Sequence, residues 1–338
     1  MNLLTPFRAV GWTAAVFTAE KSFAANPVLG SRRLNELGLH RARVAAAARM
    51  AAFRRRFIPV PEADREAYER DGFVIRPDYL PAGLFEAVRA EVFGGPHRAR
   101  EMRQGRTVTR MIPLSASARA RLPQASAVAF DPALARLAGY VAGRTGAALH
   151  HVQTVIAEPE RGPQDPQAAL HADTFHSTAK YWLFLHDVTE EDGPFMFAPG
   201  SHRLTPERLD WEHRRSLTAR AEGRAHHSHG SFRIRPDELA ALGYAPPRRV
   251  AVKANTLVVA DTFGFHARAP SAKRTVRVEI HGQLRRNPFL PWNGLDPLTL
   301  PGLKGREYDL HFGWKDYRGI PSVWRDVGEV RADDPASV

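Results

Sequence analysis

The sequence predicts a mainly β fold of sandwich or jelly-roll type, preceded by helices. Three observations carry this. From about residue 146, short apolar runs recur between Gly, Pro, Asn and Asp turns: Leu149 to Ile156, Lys180 to Val188, Pro194 to Ala198, Arg249 to Lys253, Thr256 to Ala260 and Thr275 to His281. Their length and β-branched content suit strands rather than helices. Residues 1–58, in contrast, show no alternating pattern. Within the strand-rich part, His171 and Asp173 are one residue apart, and the two-residue period of a strand turns both to one face.

At 338 residues and 43% hydrophobic content, the chain can fill one large core with appendages. Residues 1–58 are expected to form a basic helical extension. Residues 59–338 are expected to form the β domain, interrupted by a polar, partly helical insertion over 201–247. Ala9 to Ala19 is apolar but short and broken by Gly11 and Thr13, too little for a membrane span. With one cation, Arg8, just ahead of it, it makes a poor signal peptide. Ser31 to Arg56 reads as one helix, with Leu34, Leu37, Val44, Ala48 and Ala51 at helical intervals and eight arginines against one acid, Glu36. The alanine-rich face is shallow for lipid insertion. Packing on the β domain is therefore preferred, with peripheral contact at the inner membrane surface through residues 31–56 as the alternative. Tyr68 to Ile75 follows as a helix end, a Gly stop and a short strand, and Leu84 to Phe93 as a helix. Beyond Arg285 the chain is rich in Pro, Gly and Trp and is expected to wrap the barrel without regular structure.

Cysteine is absent, which excludes disulfides, thiolate-bound zinc and cysteine nucleophiles and fits a cytoplasmic location. The net charge of +12 favours an anionic partner such as phosphate, lipid head groups or an acidic substrate, unless it reflects genome base content alone. Nucleic acid is not the expected partner, because the arginines concentrate in the extension and the insertion instead of alternating with exposed aromatics.

Adding a distant histidine, His266, to His171 and Asp173 gives two imidazoles and one carboxylate. That set leaves three positions open on a metal and is usual in non-haem Fe(II) oxygenases. Among 15 histidines a His-x-Asp pair alone is a weak signal, so its surroundings decide. Over about residues 66–290 they resemble the phytanoyl-CoA dioxygenase family of Fe(II)- and 2-oxoglutarate-dependent oxygenases. The resemblance rests on Asp71-Gly72-Phe73, His171-x-Asp173, Trp182 to Asp187, Gly193-Pro194, Pro199 to His202, and Ala260-Asp261 ahead of His266. It implies a double-stranded β-helix (jelly-roll, cupin-like) with flanking helices, and Fe(II), 2-oxoglutarate and dioxygen as cofactors. It also implies that His171, Asp173 and His266 are the metal ligands, and that decarboxylation of 2-oxoglutarate to succinate is coupled to hydroxylation of an unactivated C–H bond. Two departures stand out: Ala260-Asp261 where Gly-Asp is usual, and Arg268 where a serine commonly helps hold the cosubstrate.

The far carboxylate of 2-oxoglutarate needs a fixed cation, and a guanidinium offers a planar fork matched to two oxygens. Arg274 and Arg277 are both near enough. Val276, Val278 and Ile280 share one strand face and Arg277 lies on the other, so packing of the apolar face on outer helices would aim Arg277 inward. Its interval of eleven residues from His266 is the family's usual one, and Arg277 is preferred. By the same resemblance Gln153 and Trp182 are cosubstrate contacts, although core packing suits Trp182 nearly as well.

Other candidates read as background. His226, His227 and His229 suit a solvated loop in the insertion, His202 a turn, and His150 and His151 a strand with local partners. His176 is placed to meet substrate; Lys180 shares the strand face of Trp182, which would aim it at an anionic substrate or the cosubstrate, but an outward, solvated lysine is the preferred expectation. The rival function is a non-oxidative metal-binding barrel of the same fold, which would have no need for a complete His-Asp-His set with a spaced Arg. The substrate is left open between a small molecule and a lipid-linked one.

Overall fold

Strand parity decides what each side of the large sheet does. In the computed structural model, which describes residues 5–338 apart from 116, 223–224, 292–299, 301 and 304, eight strands form one antiparallel sheet. They are β1 (Phe73–Arg76), β2 (Pro96–Gln104), β3 (Thr107–Pro113), β4 (Leu149–Ala157), β5 (Ala179–Phe184), β8 (Leu257–Asp261), β10 (Thr275–Leu284) and β11 (Arg325–Arg331), in the order β1-β8-β5-β10-β4-β3-β2-β11. A second sheet has the order β7-β6-β9, from β6 (Phe195–Phe197), β7 (Arg248–Val250) and β9 (His266–Arg268). Two antiparallel sheets with this non-sequential order are the jelly-roll form of a double-stranded β-helix.

On the outer face, Val152, Tyr181, Leu183, Val259, Val278 and Ile280 pack on α5 (Ala82–Phe93), α6 (Pro123–Ala129) and α7 (Pro132–Ala142). In α7 the apolar positions Leu134, Leu137, Ala138 and Val141 repeat at helical spacing, and the Asp131 side chain caps the first turn. Most of these side chains are fully buried, each contributing about 1.5–3 kcal/mol. One residue out of step, Phe73, Trp182, Phe184, Val258 and Ala260 face inward and meet Phe195, Phe197 and Val250 of the small sheet. Arg277, Glu279 and His281 share the inward parity of Trp182, as β10 pairs His281 with it.

The basic segment is two helices instead of one. Between α2 (Arg32–Glu36) and α3 (Leu39–Arg55), Gly38 takes a left-handed φ of 93° and turns the chain, which leaves Leu34 and Leu37 exposed. The apolar face of α3, with Val44, Ala47 and Ala51 buried, packs on α7 and on α8 (Pro206–Thr218). Contact with α7 is close because residue 143 is glycine: a Cβ there would lie 2.4 Å from that of Ala51. Arg43 is buried, not solvated. Its guanidinium donates to the carbonyls of Val16, Thr18 and Glu20 at 2.7–3.0 Å and lies 4.1 Å from the centre of the Phe175 ring. Among the described residues no helix is long and apolar enough to cross a membrane.

The remaining helices are α1 (Thr5–Ala14), α4 (Glu62–Asp71), which ends at Gly72, and α9 (Ala225–Ser228) and α10 (Pro236–Ala241), which with α8 occupy the 201–247 stretch. The C-terminal part departs from the expectation of irregular structure. Although 292–299 lie outside the described residues, α11 (Glu307–Tyr317) and β11 are regular. β11 has little apolar content to signal it; it forms by edge pairing with β2, reinforced by Arg98 with Asp326 at 2.8 Å. The chain after it is held by Arg110, which is paired with Glu101 at 2.6 Å in full burial and donates to the carbonyls of Arg331, Asp334 and Pro335.

Candidate metal centre

His171 and His266 are cross-strand neighbours. Their backbones exchange both hydrogen bonds, at 2.9 and 3.0 Å, and their rings lie 4.5 Å apart. Asp173, two residues on, is fixed by its N–H to the Thr262 carbonyl and turns to the same side. Its Oδ1 lies 3.6 Å from His171 Nε2 and 3.7 Å from His266 Nε2. The three ligand atoms fall within 4.8 Å of one another and form the metal-ligand group found among the described residues.

Each imidazole is fixed through its other nitrogen: His171 Nδ1 donates to the Ala169 carbonyl at 2.8 Å and His266 Nδ1 to that of Gly264 at 3.0 Å. Both Nε2 lone pairs therefore aim at the common centre, the usual arrangement behind metal-bound histidines. His266 Nε2 is buried without a partner, a vacancy that a metal would fill. The turn before His266 is braced by Asp261, whose carboxylate accepts from Tyr68 at 3.1 Å and from the backbone of Thr178 and Phe263. Burial raises the Asp261 carboxyl even so, with Arg55 opposing.

Burial, followed by the neighbouring His171, lowers His266 to about 3. It is thus neutral and able to ligate at physiological pH. Burial pushes the Asp173 carboxyl up, but Lys180 and the two imidazoles outweigh it and hold the group well below the usual carboxylate range. Lys180 does not point into solvent as expected from the sequence. Its Nζ sits 2.6 Å from Asp173 Oδ2, because the parity that turns Trp182 inward turns Lys180 inward as well.

Further along β10 the inward face becomes basic and then acidic. Arg277 is 6% exposed, donates to the Gly193 carbonyl and lies 3.7 Å from Glu279, with its Nε unpartnered. Gln153 on β4 donates to Glu279 at 2.8 Å. The Trp182 ring is 4.7 Å from that of Phe195, which in turn is 6.2 Å from His266. Arg274 is exposed in the turn before this face. Arg268 pairs with Asp165 at 2.6 Å, so a carboxylate occupies the cation that replaces the serine. A cavity of about 200 Å³ beside Val155, Asp165, Gly193 and Arg268 opens near Arg277, whereas the larger cleft of about 840 Å³ lies between α3 and α4 and does not reach the ligand set.

The sequence profile of the phytanoyl-CoA dioxygenase family matches residues 68–237, half of the chain. The chain belongs to the phytanoyl-CoA dioxygenase family. It is accordingly an enzyme of the Fe(II)/2-oxoglutarate-dependent oxygenase superfamily, and its two nitrogens and one oxygen suit Fe(II). No curated protein matches the chain in sequence. Solved structures similar to it include the epimerase SnoN in complex with Fe3+, alpha ketoglutarate and nogalamycin RO (20% identity, TM-score 0.43, 64% of this chain and 80% of that one). HygX from Streptomyces hygroscopicus with nickel, 2-oxoglutarate and hygromycin B bound is another (13%, 0.42, 66% and 86%). A third is the carbocyclase SnoK from nogalamycin biosynthesis (23%, 0.42, 68% and 84%).

In this family member Lys21 and Arg233 approach Asp173, and three further imidazoles are buried in the domain. Lys21, from the extension, donates to the Asp173 carbonyl at 2.5 Å. Burial, with Arg285 next, lowers its ammonium to about 8. Arg233 donates to Ser231 and Pro166, and burial lowers it to about 10 against the pull of Asp173. His176 is buried, its Nδ1 committed to the Ser177 carbonyl at 2.9 Å and its Nε2 unpartnered. His151 accepts from Tyr308 at 2.7 Å and meets the His281 ring edge-on, with centroids 4.8 Å apart. His227 is buried and bonded to Glu222 and to the Arg233 N–H. Strand parity could have exposed Lys180. Nothing local marks Lys21 or Tyr308, which arrive from distant segments.

Proposed function

We propose that the protein hydroxylates an unactivated C–H bond of a small organic substrate, with decarboxylation of 2-oxoglutarate to succinate. The observation that carries this reading is the pair of tautomer-fixed imidazoles converging with Asp173, together with a buried arginine eleven residues past His266 on the same inner surface. When bound, iron and 2-oxoglutarate supply the oxidising equivalent for C–H cleavage.

The chain's own groups do the positioning. His171 Nε2, His266 Nε2 and an Asp173 oxygen would hold the metal, which when bound would supply the site for cosubstrate and dioxygen. Lys180 fixes the second Asp173 oxygen and so the carboxylate plane. Arg277 holds the distal carboxylate of 2-oxoglutarate through its guanidinium fork, and its burial supports this choice over exposed Arg274. Gln153 tethers Glu279, which keeps the Arg277 side chain from swinging away. Trp182, Phe195 and Phe197 form an apolar wall that excludes water from the reacting carbon.

Anaerobic titration with Fe(II) and 2-oxoglutarate is expected to give a weak visible charge-transfer band that disappears in His171→Ala. With a turned-over substrate, one oxygen atom from labelled dioxygen should appear in the product. Succinate release without that label would refute hydroxylation while leaving the cofactor assignment intact.

A further inference from the structure

Several buried arginines of this protein are matched to acids, Arg110 to Glu101, Arg208 to Glu212, Arg268 to Asp165 and Arg277 to Glu279, and Arg43 is met by three loop carbonyls. Three cations beside the candidate metal centre have no acid of their own. Lys21 is held by a backbone carbonyl, and Arg233 by carbonyls and the Ser231 hydroxyl. Arg285, half-buried, makes no hydrogen bond or ion pair among the described residues. β10 pairs Gln283 opposite Lys180, so residue 285, one inward step further, continues the line Arg277, Glu279, His281, Gln283 past the mouth of the barrel. Asp173 is the carboxylate facing Lys21 and Arg233, and Lys180 already holds it. Even with dianionic 2-oxoglutarate and the metal in place, the nearby cations outnumber the anions.

Keeping unmatched cations partly out of water is costly unless an anion joins them. We propose that Lys21, Arg233 and Arg285 form the recognition site for an anionic group, a carboxylate or phosphate, carried by the substrate oxidised at the metal. The proposal rests on the oxygenase reading for where the substrate must sit. His176 adds a second feature. It is buried, its Nδ1 is committed to the Ser177 carbonyl and its Nε2 has no partner, so a substrate N–H or O–H that reached it would be accepted there. The extension contributes one of the three cations and is fixed in place for it: Arg43 clamps the carbonyl of Glu20, the residue before Lys21, and the Ala24 N–H donates to the Ser228 carbonyl.

The test is calorimetric titration of the full-length protein, loaded anaerobically with Fe(II) and 2-oxoglutarate, with methyl phosphate and with acetate. Bound 2-oxoglutarate keeps either probe away from Arg277, and the tighter probe identifies the group. Arg285→Gln and Lys21→Gln should each weaken binding about tenfold or more, whereas Arg32→Gln, an exposed change of equal charge, should not. Arg285 has no partner to lose, so its variant is expected to fold normally. Unchanged binding in both variants, or binding of neither probe to the wild type, overturns the proposal. Failure of the oxygenase reading shows separately, as absence of the 2-oxoglutarate band in the wild type before any probe is added.

Discussion

Replacement of Arg277 by glutamine gives the sharpest test of how the cosubstrate is held. The guanidinium is 6% exposed, its Nε is unpartnered, and the nearest acid, Glu279, is shared with Gln153. Truncating one member of a buried, charge-assisted pair costs about 2–5 kcal/mol. At roughly 1.4 kcal/mol per tenfold, 2-oxoglutarate affinity should fall by about thirty-fold to several thousand-fold. Arg277→Lys should recover only part of it, because an ammonium lacks the planar fork. Arg274 is exposed, so Arg274→Gln should change affinity by less than about threefold, the range of a surface ion pair. The assay is the anaerobic charge-transfer titration with Fe(II) saturating, with circular dichroism to confirm the fold. If Arg277→Gln binds 2-oxoglutarate as wild type does while Arg274→Gln loses it, the assignment from parity and burial is wrong.

Lys180→Met should weaken metal affinity about 10–100-fold by freeing the second Asp173 oxygen; equal or tighter Co(II) binding in equilibrium dialysis would argue against a positioning role. Gly143→Ala forces a Cβ against Ala51 at a φ of 62° and should destabilise by about 2–4 kcal/mol, read from urea unfolding; a stability within about 0.5 kcal/mol of wild type would mean the contact between α3 and α7 is loose. Burial lowers His151 to about 4 and His202 to about 3. With folded values below the unfolded 6.5, the unfolded chain takes up protons first as pH falls. Stability is therefore complete above about pH 6.5 and declines below it, by roughly 2 kcal/mol for each of the two at pH 5. A His202→Asn variant should show a smaller difference between pH 7 and pH 5 in its urea midpoint than wild type; an identical difference would contradict the linkage.

Features governed by local periodicity were legible in the sequence. The apolar set Val276, Val278 and Ile280 packs outward as its alternation requires, and that alone turned Arg277 inward. His171 and Asp173 do share a side, but through an isolated bridge at His171 and a bend at Asp173 instead of a strand, while the motif order identified the family. Features that depend on a partner were not legible. Arg43 looks like one more solvated arginine until three loop carbonyls are seen to meet it. β11 has only Val327 and Val330 as apolar residues and becomes a strand because β2 offers an open edge. Lys180 was assigned to solvent on the general habits of lysine, although its parity with Trp182 pointed inward and the decisive anion, Asp173, lies seven residues earlier in the chain.

Lys21 stands outside the stretch by which the family is recognised, yet it touches the backbone of Asp173, one of the three candidate metal ligands. The candidate ligand set stands on the β domain, while a neighbouring wall is borrowed from a docked arm held by a few contacts such as that of Arg43. Substitutions in the arm would therefore change the surroundings of Asp173 without replacing any of the three side chains that converge there.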